Sequence, residues 1–320
     1  MVAQRRGNVK VNGDAAIEKK IKRGNAQRQA SQWKRRAGTL WCAVLTAVAT
    51  LGWWYFTLDQ DITETLVSRS VVLQRPKVFP VQCSEDYENY KRFPGCTPLS
   101  CARAVTDTVV TREEALALRQ LAERGLALGG SEGGASILDL HSGALSMGQQ
   151  FVNIYKYSGA QIKDVFSKED FDLYKDVRSR IQGMIADTFG LDSSRMYLTK
   201  PTFFSRINST EARTAHDEYW HPHIDKVTYG SFDYTSLLYL SDYGSDFGGG
   251  RFIFIDASGN RTVEPRAGRV SFFSSGSENL HRVEKVTWGT RYAITVSFTC
   301  DPDHAIDNPT LPSPVTQITP

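Results

Sequence analysis

From Ala37 to Leu58 the chain runs AGTLWCAVLTAVATLGWWYFTL without a charged side chain, between Arg36 and Asp59. As a helix these 22 positions would extend about 33 Å, enough for the hydrocarbon core of a bilayer. Further on, Thr111-Arg-Glu-Glu114 has the form of a capping box and opens a run in which Leu116, Leu118 and Leu121 recur, predicting a helix over 112–127. Ser167-Lys-Glu-Asp170 is a second such start. Phe171, Tyr174, Val177, Ile181, Ile185 and Phe189 then follow at helical spacing until Gly190. Beyond Arg195 the pattern changes to short β-type runs (MYLT, TFFSRI, TSLLYLS, RFIFID, RVSFFSS, RYAITVSF) separated by Gly, Pro, Asn and Asp. Six such runs in about 105 residues predict a sandwich or barrel, with the two helices as support, and exclude a doubly wound parallel sheet.

Charge changes the picture at the N-terminus. Residues 1–58 hold 11 lysines and arginines against Asp14 and Glu18, a net +9, so the overall +3 leaves −6 on the other 262 residues. A nucleic-acid partner for the main domain is excluded on that balance. The basic residues precede the apolar run and Asp59, Asp61 and Glu64 follow it. Trp53, Trp54 and Tyr55 stand where an aromatic belt meets headgroups. The positive-inside rule therefore predicts a single-pass type II protein: cytoplasmic tail 1–36, signal anchor 37–58, and a lumen-facing remainder in the endoplasmic reticulum or Golgi. Arg5-Arg6 is similar to a retention signal.

Cys42 falls inside the anchor, leaving Cys83, Cys96, Cys101 and Cys300, an even number able to form two disulfides in any of three pairings. Two sequons, at Asn208 and Asn260, predict glycosylation on the same side of the membrane. The expected organisation is a stalk and cysteine segment over 59–104, a helical support region over 105–194, a core over 195–300 and a tail over 301–320.

Three of the six histidines, His216, His221 and His223, cluster just before Asp225, while His281 stands by itself further along the chain. Residues two apart in an extended segment share a face. His223, Asp225 and His281 can therefore form a two-His, one-carboxylate set, which leaves half of an octahedral metal's positions open for a bidentate co-substrate and O₂ at a non-haem Fe(II). Structural zinc prefers four closed ligands. His221 shares that face, so a pairing of His221 with His223 is the alternative metal set. Thr287-Trp288-Gly289 can turn the chain into a hairpin in which Lys285 faces Arg291. His281 and Arg291 would then share one face about 13 Å apart, a gap that a five-carbon dicarboxylate would fill. The planar fork of arginine pairs bidentately with a carboxylate.

HPHID, SLLYLSDYGSDFGGGRFIFID, VEPRAGRVSFFSSGSENLHRV and WGTRYAITVSFT occur in this order between about Arg195 and Cys300. In that order they resemble the prolyl 4-hydroxylase-like branch of the 2-oxoglutarate and Fe(II)-dependent dioxygenases. The resemblance implies a double-stranded β-helix (jelly roll) and Fe(II) held by His223, Asp225 and His281. It also implies 2-oxoglutarate and O₂ as co-substrates, ascorbate as an auxiliary reductant, and a protein or peptide substrate. By the same resemblance Arg291 pairs the distal carboxylate of 2-oxoglutarate and the Tyr239 hydroxyl helps to hold it. Tyr219 and Trp220 are expected at the substrate mouth. Two other classes stay open: a catalytically silent binding module on the same fold, and a type II luminal glycosyltransferase using Asp301-Pro-Asp303.

Overall fold

A computed structural model describes residues 12–58, 63–87, 93–157, 162–214 and 217–311. Arg5-Arg6 and His216 lie outside them. Two compact units divide at Asp61 and Ile62. The first is built on α1 (Asn12–Leu58). Among the described residues no helix is long and apolar enough to cross a membrane. Positions 53–58 of the expected anchor, with its aromatic belt, lie outside the described side chains.

The second unit is a sandwich. Its smaller sheet orders β1 (Thr63–Val67), β12 (Gly259–Val263), β11 (Phe252–Asp256) and β14 (His281–Val283). The larger sheet runs β2 (Lys77–Val81), β3 (Cys101–Thr106), β13 (Val270–Ser274), β9 (Tyr234–Tyr239), β15 (Val286–Thr299), β8 (Tyr197–Asn208), β5 (Ala135–Leu138), β6 (Ala144–Gly148) and β4 (Gly130–Ser131). Two further strands join at its margins: β10 (Phe247–Gly249) pairs with β15, and β7 (Gln150–Asn153) pairs with β6. Phe252, Phe254 and Val263 of the smaller sheet pack against Leu237, Phe273 and Ala293 of the larger, so the inner faces close on one apolar layer. The period-two alternation of β9 sends Thr235, Leu237 and Tyr239 inward. Tyr234 and Leu238 point outward, to the layer beneath α2 (Arg112–Leu126) and α5 (Lys168–Phe189). Both predicted capping boxes form, at Thr111/Glu114 and Ser167/Asp170, and Gly190 ends α5 in the left-handed conformation.

Several expectations are corrected. The described part of the expected stalk and cysteine segment, 63–87 and 93–104, is not separate from the core: β1, β2 and β3 are integral to the sheets, and Val67 is buried in the inner layer. The region over 105–194 is not purely helical, since β4 to β7 lie within it beside the short α3 (Ile154–Tyr157) and α4 (Ile162–Val165). The runs at 196–199 and 202–207 are one strand. Across the break at Pro201, Ser297 N–H donates to the Thr202 hydroxyl, where the register with β15 shifts.

The hairpin at 287–289 does not exist. Trp288 and Gly289 lie inside β15, and Gly289 pairs with Phe247 of β10. A side chain at Gly289 would come within 2.0 Å of the Asp246 carbonyl, so this glycine serves close approach of backbones, not a turn. His281 and Arg291 consequently stand on opposite sheets of the sandwich. The open cysteine pairing resolves as Cys83–Cys101 and Cys96–Cys300. The second of these ties the end of β15 to the loop before β3.

Candidate Fe(II) and 2-oxoglutarate site

Between the sheets lies a cavity of about 220 Å³ whose walls include His223, Asp225, His281 and Arg291. The three candidate metal ligands come together because the HxD segment pairs directly with β14. His223 N–H donates to the His281 carbonyl at 2.9 Å and His281 N–H donates to the His223 carbonyl at 3.0 Å. A hydrogen-bonded antiparallel pair puts both side chains on one face, and the ring centroids lie 4.4 Å apart. Asp225 then opens the one-turn helix α6 (Asp225–Tyr229), which lifts its carboxylate toward the two rings. Its Oδ1 lies 3.5 Å from His223 Nε2 and 3.7 Å from His281 Nε2. One donor atom from each of the three residues falls within 4.8 Å of the others.

The ring protons are set by what lies behind each ring. His223 Nδ1 contacts the His221 carbonyl at 3.0 Å and His281 Nδ1 contacts the Asn279 carbonyl at 2.8 Å. A carbonyl only accepts, so both Nδ1 atoms carry the proton and both Nε2 lone pairs face the carboxylate. Burial among Phe252, Phe254 and Phe273 also pushes the His281 pKa down, which keeps that ring neutral. The other Asp225 oxygen accepts from the Thr235 hydroxyl at 2.6 Å. These are the donors and orientations that a divalent iron bound by a facial triad needs.

His221 is not part of this set. Its Nε2 pairs with the Glu218 carboxylate and its side chain is 63% exposed, which removes the alternative metal assignment. Tyr219 lines the cavity and accepts the Val286 N–H at its hydroxyl. Trp220 instead carries the Lys285 ammonium 3.9 Å over its ring.

Arg291 is 1% exposed, and its Nε donates to the Gly250 carbonyl at 2.9 Å. Its Nη2 is buried with no hydrogen-bond partner. Among the described residues no carboxylate pairs with it, and burial lowers its pKa. A desolvated guanidinium with a free donor beside a metal-ligand set is the arrangement a dicarboxylate co-substrate satisfies. Tyr239 departs from expectation. Its hydroxyl is bonded to that of Ser271 at 2.8 Å, it does not line the cavity, and its ring lies 5.6 Å from the Arg291 guanidinium carbon. In this geometry it packs beside the arginine and does not face the ligand space.

Gly250 is expected to matter through Arg291. It has φ +66, and an added Cβ would sit 2.9 Å from the Phe247 ring. Gly250→Ala should therefore move the carbonyl that orients Arg291 and weaken 2-oxoglutarate binding about 10-fold, while Fe(II) affinity is retained. Isothermal titration of each ligand separately measures both.

A model of the 2OG-Fe(II) oxygenase superfamily matches residues 209–299. The mouse 2-oxoglutarate and iron-dependent oxygenase domain-containing protein 3 is 58% identical over 318 residues, covering 97% of this chain and all of that one. The chain belongs to the 2-oxoglutarate and Fe(II)-dependent oxygenase family. Human prolyl 3-hydroxylase 1 is a more distant relative, 32% identical over 151 residues, 42% of this chain and 20% of that one. A solved Trichoplax adhaerens prolyl hydroxylase, in complex with a peptide fragment of the hypoxia inducible factor oxygen degradation domain, aligns over 67% of this chain and 88% of that one. Its TM-score is 0.41 at 15% identity. As a member of this oxygenase family the protein is a 2-oxoglutarate-dependent dioxygenase and uses Fe(II), 2-oxoglutarate and O₂.

Neither sequon is part of the site. Asn260 is 7% exposed within β12, between β1 and β11. Asn208, at the end of β8, is half-buried and its Oδ1 accepts the Thr210 N–H. Asp301 and Asp303 do not form a nucleotide-sugar motif either, because Asp301 caps the turn at Pro302–His304 by accepting the Asp303 N–H.

Proposed function

We propose that this protein hydroxylates an uncharged side chain of a polypeptide. In this reading His223, Asp225 and His281 are the iron ligands and Arg291 anchors the distal carboxylate of 2-oxoglutarate. The unpartnered, buried Nη2 of Arg291 in the same cavity as the triad carries it. Bound iron and 2-oxoglutarate would supply the oxidising power: 2-oxoglutarate would lose its first carbon as CO₂, with one atom of O₂ ending in the succinate so formed and the other in the new hydroxyl.

The chain's own residues do the rest. The two carbonyls behind His223 and His281 fix which nitrogen faces the metal, and Thr235 holds the idle oxygen of Asp225. Phe252 and Phe273 pack their rings against that of His281, each 5.0 Å between centroids. Ala135, Ile137, Phe203, Tyr229, Phe232 and Val283 also line the cavity. Among the described lining residues Asp225 and Arg291 are the ionic side chains besides the histidines, and in this reading both are committed to metal and co-substrate. An uncharged target needs no further counter-charge there, and the prolyl 3-hydroxylase relative is named for such a target.

The test is succinate production by the purified protein with Fe(II) and 2-oxoglutarate, followed by a search for a 16 Da gain on trapped polypeptides. Turnover that rises with a polypeptide and leaves such a gain is expected. Iron and 2-oxoglutarate binding without any turnover would establish the catalytically silent binding module.

We also propose that the oxygenase unit faces the lumen of the secretory pathway, with residues 37–58 as its anchor. The uncharged run, the +9 before it, two disulfides and the sequon at Asn208 support this. Protease added to intact microsomes should leave the oxygenase unit whole and digest the tail, and a glycosidase-sensitive mass should map to Asn208. Digestion of the oxygenase unit with the tail protected would reverse the orientation.

A further inference from the structure

The nitrogen that His281 presents to the metal depends on the Asn279 carbonyl, and the position of that carbonyl is set by a buried polar network. Asn279 is 1% exposed. Its side-chain amide donates to the Ser274 carbonyl at 2.8 Å, and its Oδ1 accepts from Arg103 Nε at 2.7 Å. Arg103, 4% exposed, also donates to the Glu278 carbonyl at 3.1 Å and holds Asp256 bidentately, Nη1 to Oδ2 at 2.8 Å and Nη2 to Oδ1 at 2.6 Å. Its guanidinium lies 4.4 Å over the ring of Phe254, which in turn meets His281 edge-on. One guanidinium thus joins β3, the end of β11 and the turn that leads into His281. Each of its three donor groups has a partner in a region where an unpaired one is costly.

We propose that Arg103, Asn279 and Asp256 are positioning residues for His281, fixing its ring so that Nε2 meets the metal. Arg103 comes from outside the family-matched segment 209–299, so the iron site is completed by the strand that follows the Cys83–Cys101 bridge. The inference rests on His281 being a metal ligand. Groups behind a ligating imidazole commonly alter metal affinity by about 10- to 100-fold when removed.

Arg103→Lys keeps the charge but cannot reach Asn279, Glu278 and Asp256 together. The expected result, in the full chain, is an Fe(II) dissociation constant raised about 10- to 100-fold and a changed visible spectrum when Co(II) is bound in place of iron. At saturating metal, 2-oxoglutarate affinity should stay within about twofold. Asp256→Asn, at a partly exposed position that tolerates change, should give the same loss in smaller measure, and the double variant should not add to Arg103→Lys.

Arg269→Lys is the control. Arg269 is equally buried and ion-paired, to Asp107, but it braces the backbone at Ser68, Val71 and Glu264 and has no bond to the metal-binding turn. It should lower thermal stability and leave metal affinity and the Co(II) spectrum alone. Unchanged metal affinity in folded Arg103→Lys or Asp256→Asn would overturn the proposal, and so would an equal loss in Arg269→Lys. Failure of His281 as a ligand is distinguishable, because His281→Ala would then retain the metal.

Discussion

Asp225→Ala is expected to abolish 2-oxoglutarate decarboxylation and to weaken Fe(II) binding beyond measurement in an anaerobic titration. The site would be left with two imidazoles, and a facial set of three donors is the least that holds iron in its reactive geometry. The fold should survive. Among the described residues the lost carboxylate's hydrogen-bonded neighbour is the Thr235 hydroxyl, which keeps Ser275 Oγ at 2.8 Å as a partner. Removing a carboxylate that is 4% exposed also removes a desolvated charge, so the metal-free variant should melt no lower than metal-free wild type. His221→Ala is the contrast: an exposed ring paired with Glu218 should be replaceable with full retention of metal. Metal retained by Asp225→Ala and lost by His221→Ala would restore the other assignment.

What the sequence made legible tracks how local the determinants are. The capping boxes at Thr111 and Ser167 and the stop at Gly190 are complete within a few residues, and each helix begins and ends where they place it. The inner strands alternate with period two and read clearly. The strands of 63–106 did not, for reasons visible in their composition. β1 is TETLV, three polar residues and two apolar, and is held by parallel pairing to β12 nearly 200 positions away. β2 contains Pro80, which is tolerable on the edge of the sheet. β3, CARAVT, is buried throughout and shows no alternation, while its one charge is spent on Asp256 and Asn279. The metal ligands were legible as residue types at a spacing, but the backbone pairing of His223 with His281 that assembles them was not. The same holds for Arg291, which the fold delivers from the opposite sheet and not by the imagined hairpin. A turn signal such as Trp-Gly is equally a signal for two backbones passing close together, and only the partner strand β10 distinguishes the two.

Arg291→Ala should cost the protein its 2-oxoglutarate affinity while leaving iron in place. Among the described residues the guanidinium bonds through Nε to the Gly250 carbonyl and keeps a buried Nη2 without a partner, a donor open to a carboxylate. Arg291→Lys keeps a charge but presents a single ammonium and gives up the bond to Gly250, so one of two charge-assisted hydrogen bonds to the ligand goes. At about 1.5–3 kcal/mol for such a bond, affinity should fall roughly 10- to 100-fold, and the alanine variant should fall further. Alanine also opens space beside the Tyr239 ring, where the guanidinium carbon now lies 5.6 Å from the ring centre. Tyr239→Phe separates the neighbours. With its hydroxyl committed to Ser271, the loss should be small, well under that of Arg291→Lys, whereas a comparable loss would show that the hydroxyl swings to the ligand once it is bound. The readout for all three is the visible charge-transfer band of the anaerobic Fe(II) complex followed through a 2-oxoglutarate titration. Equal dissociation constants across wild type, Arg291→Lys and Arg291→Ala would remove Arg291 as the carboxylate anchor and leave its buried, unpartnered donor without a ligand to explain it.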